Sequence, residues 1–181
     1  MSHTPATRLT IPVGAHDHVQ GSEKAAVTLL EYGDYECPYC GAALPVVKEV
    51  QQRLGAALRF VFRHFPLSMA HPHAQQAAEA AEAADTQGQF WEMHDLMFEN
   101  QDALDDKNLA HFAKALGLDS AQFIGELTDH VHAARVRQDF MSGVRSGVNG
   151  TPTFFINGSR YVGSYDVESL LEAIETTEVD G

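Results

Sequence analysis

The sequence predicts an α/β protein in which a β-sheet is interrupted by a block of helices. Two β-rich runs lie in the first third of the chain, and a hairpin pattern lies near its carboxy-terminal end. The stretch between them, at about 73–146, has helical periodicity almost throughout. Strands separated by helical segments in this order are typical of α/β sheets rather than of all-α or all-β domains.

The composition is that of an ordinary globular chain. Of its 181 residues, 44% are hydrophobic and 20% are charged, values that exclude collagen-like, coiled-coil and disordered chains. At this length a single domain with one insertion is the default. The net charge of −13 repels phosphate backbones and anionic lipid head groups, so we expect neither nucleic acid nor a membrane surface as a partner.

The amino-terminal residues show no export signal. Residues 1–30 contain no apolar run long enough for the core of a signal peptide. No stretch approaches the ~18 consecutive apolar residues of a membrane span. We therefore expect a cytoplasmic protein, with residues 1–24 as an N-terminal extension.

Two strands are predicted before the helical block. Residues 26–32 are rich in β-branched and aromatic side chains and end at a Gly-Asp pair, which is typical of a central strand. Residues 58–65 alternate well enough for a second strand, with Phe60 and Phe62 on one face, until Pro66 ends it.

A helix is predicted directly after the first strand. Cys37 lies at its start, and Pro38 lies in the first turn, where a missing N–H group costs nothing. Apolar residues at helical spacing continue to Leu54. Pro45 lies inside this pattern and is expected to kink the helix.

Four helices are predicted in the helical block. The first contains the Ala/Glu-rich residues 77–84, whose acidic edge is expected to be solvated, and Gly88 separates it from an aromatic helix over 90–98. A third helix ends at Gly117. The fourth, with an N-cap at its first residue, is expected to run without interruption over 119–147.

The chain closes with a hairpin and a helix. Residues 153–156 are β-branched and aromatic, Asn157-Gly158 is a strong hairpin signal, and residues 160–162 form the predicted returning strand. A final helix is capped by Asp166, and its apolar stripe is expected to face the core with Leu170, Leu171 and Ile174.

The two cysteines of the chain, Cys37 and Cys40, are separated only by Pro38 and Tyr39. So small a loop does little to constrain the unfolded chain, so the pair does not belong to a stapled framework. A Cys-x-x-Cys pair at the amino end of a helix is a redox motif, because the helix dipole and free N–H groups stabilise a thiolate there. We predict that Cys37 is the exposed nucleophile and Cys40 the resolving thiol.

Four segments of the chain carry a resemblance to a known family: Val27 to Cys40, Arg63 to Leu67, Gly88 to His94 and Gly147 to Gly158. Taken together, they resemble segments of the DsbA-like proteins of the thioredoxin superfamily. They occur in the same order as in that family, and the resemblance covers roughly residues 20–175. It implies a thioredoxin-like fold over residues 25–181 with a helical insertion domain, and thiol-disulfide oxidoreductase activity on protein or peptide substrates.

The resemblance also implies roles for single residues. Thr151-Pro152 matches the superfamily's cis-proline loop, which lies opposite the two sulfurs and offers backbone groups to an extended substrate. Together with Pro38 and Tyr39, this loop is expected to bind substrate. Glu31 matches a buried acid beneath the active site that relays the proton of the resolving thiol, and burial on its strand would raise its pKa toward a useful range.

Local charge predicts a mild oxidant or a reductase. The family's strongly oxidising members carry a histidine between the cysteines, where this chain has Tyr39. Asp34 and Glu36 add negative charge that should destabilise the Cys37 thiolate. In a reducing cytosol the pair would rest mostly reduced, which favours disulfide reduction, with glutathione or a thioredoxin-type protein as redox partner.

Three alternatives stay open. A glutathione-linked reductase or transferase of the same superfamily would use the same fold, and a non-enzymatic module would bind extended peptides without chemistry. A zinc site would combine the cysteines with one of two histidine pairs, but members of each pair are separated by one residue and do not face each other on a helix. Surface histidines on an acidic protein are the better interpretation, and we expect no metal and no organic cofactor. These pairs are His71 with His73 and His130 with His132.

Overall fold

The computed structural model describes residues 7–179 and confirms the predicted α/β class. A short 3-10 turn, Gly55–Ala57, precedes the third strand. In chain order the strands and helices are β1 (His18–Gln20), β2 (Val27–Gly33), α1 (Pro38–Leu54), β3 (Leu58–His64), α2 (Ala74–Asp85), α3 (Phe90–Glu99), α4 (Asp106–Ala115), α5 (Ser120–Thr128), α6 (Ala133–Arg145), β4 (Thr153–Ile156), β5 (Ser159–Arg160) and α7 (Val167–Val179).

The five strands form one sheet in the order β1-β3-β2-β4-β5. β2 is central, as predicted, and it pairs antiparallel with β4, with Leu29 opposite Ile156 and Tyr32 opposite Thr153. β1 pairs antiparallel with β3 and lies within the segment predicted as an N-terminal extension. Its three residues are too few for a periodic pattern to stand out in the sequence.

The chain divides into two compact units. The second consists of Gly33–Gly41 and His64–Met141, and the first contains the other described residues. In the first unit, the sheet and α7 enclose an apolar core that includes the predicted stripe of α7. Asp166 caps α7 by accepting from the N–H group of Ser169 at 3.0 Å, as predicted.

The hairpin between β4 and β5 turns at Asn157 and Gly158, as predicted. Both residues have positive φ angles, of 47° and 80°, which the Asn-Gly pair accommodates better than other residues do. The returning strand is shorter than predicted and ends at Arg160. Beyond it the hydroxyl of Tyr161 donates to the carbonyl of Ser164, so the chain turns away from the sheet and Val162 is exposed.

The second unit contains α2 to α5 and the first part of α6. Two predictions about these helices are wrong. The helix expected over 119–147 is two helices, because the chain leaves helical geometry after Thr128 and His130 takes a φ of 50°. The expected solvated edge of α2 is buried at Glu79 and Glu82, which contact His130 and His64 respectively.

Candidate active site

The Cys-x-x-Cys motif lies at the start of α1, as predicted. The N–H group of Cys37 donates to the carbonyl of Asp34 at 3.1 Å, which closes a tight turn over residues 34–37, here called the Cys37 turn. The carbonyl of Cys37 accepts from the N–H group of Gly41 at 3.1 Å, so Cys37 is the N-cap of α1. Cys40 lies in the first helical turn. This geometry places both cysteines at the positive end of the helix dipole.

The prediction that Cys37 is exposed is wrong. Cys37 is 3% exposed and Cys40 is 1% exposed, whereas Tyr39 between them is 66% exposed. The side chain of Gln101 contributes to this burial, because its amide donates to the carbonyls of Tyr35 at 2.9 Å and Cys37 at 2.8 Å. The exposed part of the motif therefore consists of Pro38 and Tyr39 rather than of the two sulfurs.

Gly41 allows the Gln101 amide to lie this close to the Cys37 turn. A Cβ atom at this glycine would lie 2.1 Å from the Gln101 Oε1 atom, so any larger residue would displace the amide. Gln101 could not be recognised from the sequence. It follows α3, is 64 residues away from Cys37, and is not part of any periodic pattern.

The carboxylate of Asp34 organises the Cys37 turn and a second segment, residues 67–73, here called the histidine loop. One carboxylate oxygen accepts from the N–H group of Glu36 at 2.8 Å. The other accepts from the N–H group of Leu67 at 2.9 Å and from the Nδ1 atom of His71 at 2.7 Å. Asp34 is buried, so its charge is balanced by these donors rather than by water.

Glu36 makes the second connection between the Cys37 turn and the histidine loop. Its carboxylate accepts from the N–H group of His73 at 2.6 Å and lies 3.0 Å from the Nδ1 atom of the same residue. From the sequence alone, Asp34 and Glu36 are expected only to oppose a thiolate with their negative charges. The structure corrects this interpretation, because each carboxylate lies against an imidazole.

His71 is the titratable group of the histidine loop with a displaced pKa. Burial lowers the pKa of His71, but the hydrogen bond to Asp34 and the negative charges of Asp34, Cys37 and Glu36 raise it, and the pKa lies above its ordinary value of 6.5. The side chain is a cation at a higher pH than an ordinary histidine. Its charge interacts with that of the Cys37 sulfur.

Aromatic and polar side chains pack around Tyr35, two residues before Cys37. The Tyr35 hydroxyl lies 2.9 Å from the Nδ1 atom of His94, and its ring centroid lies 4.7 Å from that of Phe98. The centroid of the His64 ring lies 6.0 Å from that of Tyr35, and its Nε2 atom lies 2.7 Å from Glu82. These buried contacts support the Cys37 turn within the second unit.

The other predicted site residues belong to the first unit. Glu31 lies on β2 opposite Phe154 of β4 and is 3% exposed, so its predicted burial is confirmed. The Thr151–Pro152 peptide bond is cis and directly precedes β4. Glu31 and this loop thus belong to neighbouring strands. The cysteines, Pro38 and Tyr39 belong to the second unit.

The histidines of the zinc alternative all lie against carboxylates. His71 and His73 contact Asp34 and Glu36, as described above. The Nδ1 atom of His130 lies 3.1 Å from Glu79, and the Nε2 atom of His132 lies 2.6 Å from Glu126. These contacts argue against ligation of a metal together with the cysteines. The interpretation as surface histidines fits the exposed His73 and His130, whereas His71 and His132 are partly buried.

Comparisons with known proteins identify the family. A family model described as thioredoxin matches residues 14–176. The Na(+)/H(+) antiporter NhaA 3 of Salinispora tropica is 48% identical over 92% of this chain, and the Na(+)/H(+) antiporter NhaA 1 of Mycobacterium sp. strain KMS is 44% identical over 88%. The chain spans about a quarter (26%) of the length of these curated relatives. Among residues 7–179 no helix combines the length and apolar character needed to cross a bilayer.

Solved structures share the fold over nearly the whole chain. A thioredoxin-like oxidoreductase from Silicibacter pomeroyi is 26% identical with a TM-score of 0.80, covering 91% of this chain and 93% of that one. BdbD from Bacillus subtilis is 24% identical with a TM-score of 0.84, covering 97% and 98% of the two chains. Alpha-DsbA1 from Wolbachia pipientis is 20% identical with a TM-score of 0.79, covering 95% of each chain. The chain therefore belongs to the thioredoxin family and has a thioredoxin-like fold with a helical insertion.

Proposed function

We propose that this chain is a thiol-disulfide oxidoreductase that exchanges disulfides with protein or peptide substrates through Cys37 and Cys40. The observation that carries the proposal is the position of the pair at the amino end of α1 in a chain of the thioredoxin family. Helix N–H groups and the helix dipole favour a thiolate at Cys37 over a thiol. Thiol-disulfide exchange by this route requires a nucleophilic sulfur next to a second thiol.

The proposed reaction needs only these two sulfurs. The Cys37 thiolate attacks one sulfur of a substrate disulfide, the substrate S–S bond breaks, and the other substrate sulfur leaves as a thiolate. Cys40 then loses its proton and attacks the Cys37 sulfur, which releases the second substrate thiolate. The products are a Cys37–Cys40 disulfide and a substrate dithiol, so two electrons pass to the substrate. The reverse sequence oxidises a substrate dithiol.

Four residues are proposed to bind substrate. Pro38 and Tyr39 are exposed while the cysteines are buried, so they offer the contact surface around the pair. Thr151 and Pro152 are partly exposed at the start of β4, where backbone groups are available to an extended peptide. We propose that this loop binds the backbone of the substrate and that Tyr39 contacts the substrate side chains.

Glu31 is proposed to accept the proton that Cys40 loses. Its burial on β2 supports this role, because a carboxylate removed from water takes up a proton more readily than an exposed one. Glutathione or a thioredoxin-type protein is proposed as the redox partner that regenerates the pair. In a reducing compartment the pair rests reduced, and the chain acts as a reductase.

An insulin reduction assay tests the proposal. With dithiothreitol as electron donor, we expect the wild-type protein to reduce insulin and Cys37→Ser to lose at least 100-fold in rate, because the nucleophile is gone. Cys40→Ser retains the nucleophile and accumulates a mixed disulfide with substrate, visible by mass spectrometry. Insulin reduction that is indifferent to both substitutions contradicts the proposal.

The same assay separates the alternatives. Turnover of glutathione mixed disulfides without reduction of insulin would indicate the glutathione-linked enzyme instead. Binding of an extended peptide with no exchange in the wild-type protein would indicate a non-enzymatic module. Both results replace the proposed activity with a different one for the same fold.

Glu31→Gln tests the proton acceptor. We expect slower release of the mixed disulfide at Cys37 and a changed pH dependence of that release, because Cys40 has lost the proposed acceptor of its proton. The release rate is measured by stopped flow between pH 5 and 9. Glu49→Gln on the exposed face of α1 is the matched control and leaves the profile unchanged. A Glu31→Gln profile that overlays the wild-type profile assigns Glu31 to structure alone.

A further inference from the structure

The histidine loop is fastened to the Cys37 turn by four contacts. Asp34 accepts from the N–H group of Leu67 and from the imidazole of His71, and Glu36 accepts from the N–H group of His73 and contacts its imidazole. The distances lie between 2.6 and 3.0 Å. The histidine loop therefore contacts both acidic residues of the Cys37 turn, which contains the nucleophile.

The orientation of His71 is determined by Asp34. The carboxylate is fully buried and already accepts from two backbone N–H groups, so it has little freedom to move. An imidazole that donates through Nδ1 at 2.7 Å to such a carboxylate has a defined ring plane and a favoured positive charge. The carbonyl of the same Asp34 accepts from the N–H group of Cys37, so one residue holds both groups.

The charges that face His71 come from both segments. Asp34 and Glu36 lie in the Cys37 turn, and His73 of its own loop lies against Glu36. Each carboxylate is thus paired with an imidazole, and the His71 cation faces the negative charge of Cys37 as well as that of Asp34. The cation of His71 then acts on the sulfur rather than only on the carboxylate that holds it.

We propose that His71, oriented by Asp34, is the cation that stabilises the Cys37 thiolate, and that it adjusts the oxidising strength of the Cys37–Cys40 pair. The inference rests on the proposed function insofar as it takes Cys37 as the reacting thiol. His71 is a positioning residue, because it transfers no atom and acts through its charge. A stabilised thiolate favours the dithiol form over the disulfide, so the pair is a stronger oxidant than Tyr39 and the acidic neighbours alone predict.

Titration of the Cys37 thiol tests the inference directly. Thiolate absorbance in the ultraviolet is followed against pH in the Cys40→Ser background, where Cys37 is the one remaining cysteine. We expect His71→Gln to raise the Cys37 pKa by about one unit, since removal of a nearby opposite charge disfavours the thiolate. His71→Lys keeps a cation and restores most of the shift. His111→Gln, which removes an exposed imidazole from α4, is the matched control and leaves the pKa unchanged.

The reciprocal titration guards against a folding defect in the His71 variant. If the two charges interact, Cys37→Ser lowers the pKa of His71 by the same amount that His71→Gln raises the pKa of Cys37. The His71 ring is titrated by NMR in reduced protein. Equal and opposite shifts support the inference. Shifts below 0.2 units in both titrations overturn it.

The redox equilibrium provides the functional readout. Equilibrated against glutathione buffers, the His71→Gln protein is expected to favour its disulfide about tenfold more than wild type, which is ~30 mV for a two-electron couple. The thiol titration requires no turnover. If His71→Gln leaves the Cys37 pKa unchanged while the wild-type protein reduces insulin, only this inference is contradicted. If His71→Gln clearly shifts the Cys37 pKa but the wild-type protein does not reduce insulin, only the proposed function is contradicted.

Discussion

Two histidine–carboxylate pairs in the second unit have the same chemistry and different surroundings. His64–Glu82 and His71–Asp34 each join a ring nitrogen to a carboxylate oxygen at 2.7 Å. In the first pair the side chains are 1% and 6% exposed, whereas in the second the imidazole is 21% exposed and the carboxylate is enclosed. The two pairs have the same kinds of partner at the same distance, so burial of the imidazole is what distinguishes them.

The enclosed pair is surrounded by rings. The centroid of the His64 ring lies 6.0 Å from that of Tyr35 and 5.9 Å from that of Phe90. The contact to Glu82 joins the last residue of β3 to α2. Both groups of this pair are almost completely removed from solvent. Its effect is to hold together the elements that support the Cys37 turn.

The partly exposed pair lies on the Cys37 turn itself. The carboxylate of Asp34 is held by backbone N–H groups on both sides, while the His71 ring reaches the surface. An imidazole in this position exchanges protons with water and still acts on the Cys37 sulfur. The pair therefore combines a rigid anchor with a titratable group.

Glu82→Leu should produce the largest effect on stability. Removal of one partner leaves the buried imidazole of His64 without its carboxylate, and we expect a loss of about 3 kcal/mol in the free energy of unfolding. Urea unfolding followed by circular dichroism measures the change. The double variant His64→Leu/Glu82→Leu is expected to recover part of the loss, because it no longer leaves a buried His64 imidazole without its carboxylate. If Glu82→Leu is as stable as the wild-type protein, the enclosed His64–Glu82 pair does not have the structural importance that distinguishes it from the His71–Asp34 pair.

The pair at His71 should affect stability less and in a pH-dependent way. The pKa of His71 is raised in the folded protein, so protonation stabilises the fold. The contribution is fully present below the ordinary value of 6.5 and is lost as the pH rises through the folded-state pKa. We expect His71→Gln to cost about 1 kcal/mol at pH 6 and progressively less at higher pH. Urea unfolding of both proteins between pH 6 and 9 measures the difference.

His73→Gln is the matched control for this pH series. Its imidazole is 46% exposed and pairs with Glu36 at the surface, so we expect a change of no more than about 0.5 kcal/mol at either end of the series. A cost of His71→Gln that grows with pH would have the wrong sign for a protonated imidazole and would contradict the assigned charge.

Local sequence patterns predict the position of Cys37 and Cys40 and most elements of the fold. A β-rich run, a turn and a proline in the first helical position place Cys37 at a helix start without reference to the rest of the chain. The Asn157-Gly158 turn and the Asp166 cap were predictable for the same reason. Each of these features depends on residues within a few positions of one another.

The features that were missed depend on distant partners. The burial of Glu82 needs His64, which is 18 residues away, and the burial of Cys37 involves Gln101, which is 64 residues away. The pairing of Asp34 with His71 crosses 37 residues. In the sequence these groups appear as acidic residues on a helix edge, a polar loop residue and a surface histidine. No periodicity connects them.

Local patterns in the sequence are enough to predict an α/β protein with a Cys-x-x-Cys pair at the start of a helix, because strand, turn and helix signals depend on neighbouring residues. The electrostatic environment of that pair depends on the tertiary structure, because a charge acts over distance in space rather than along the chain. Counted in sequence, Asp34 and Glu36 oppose the thiolate, but in the folded protein they lie against the imidazoles of His71 and His73.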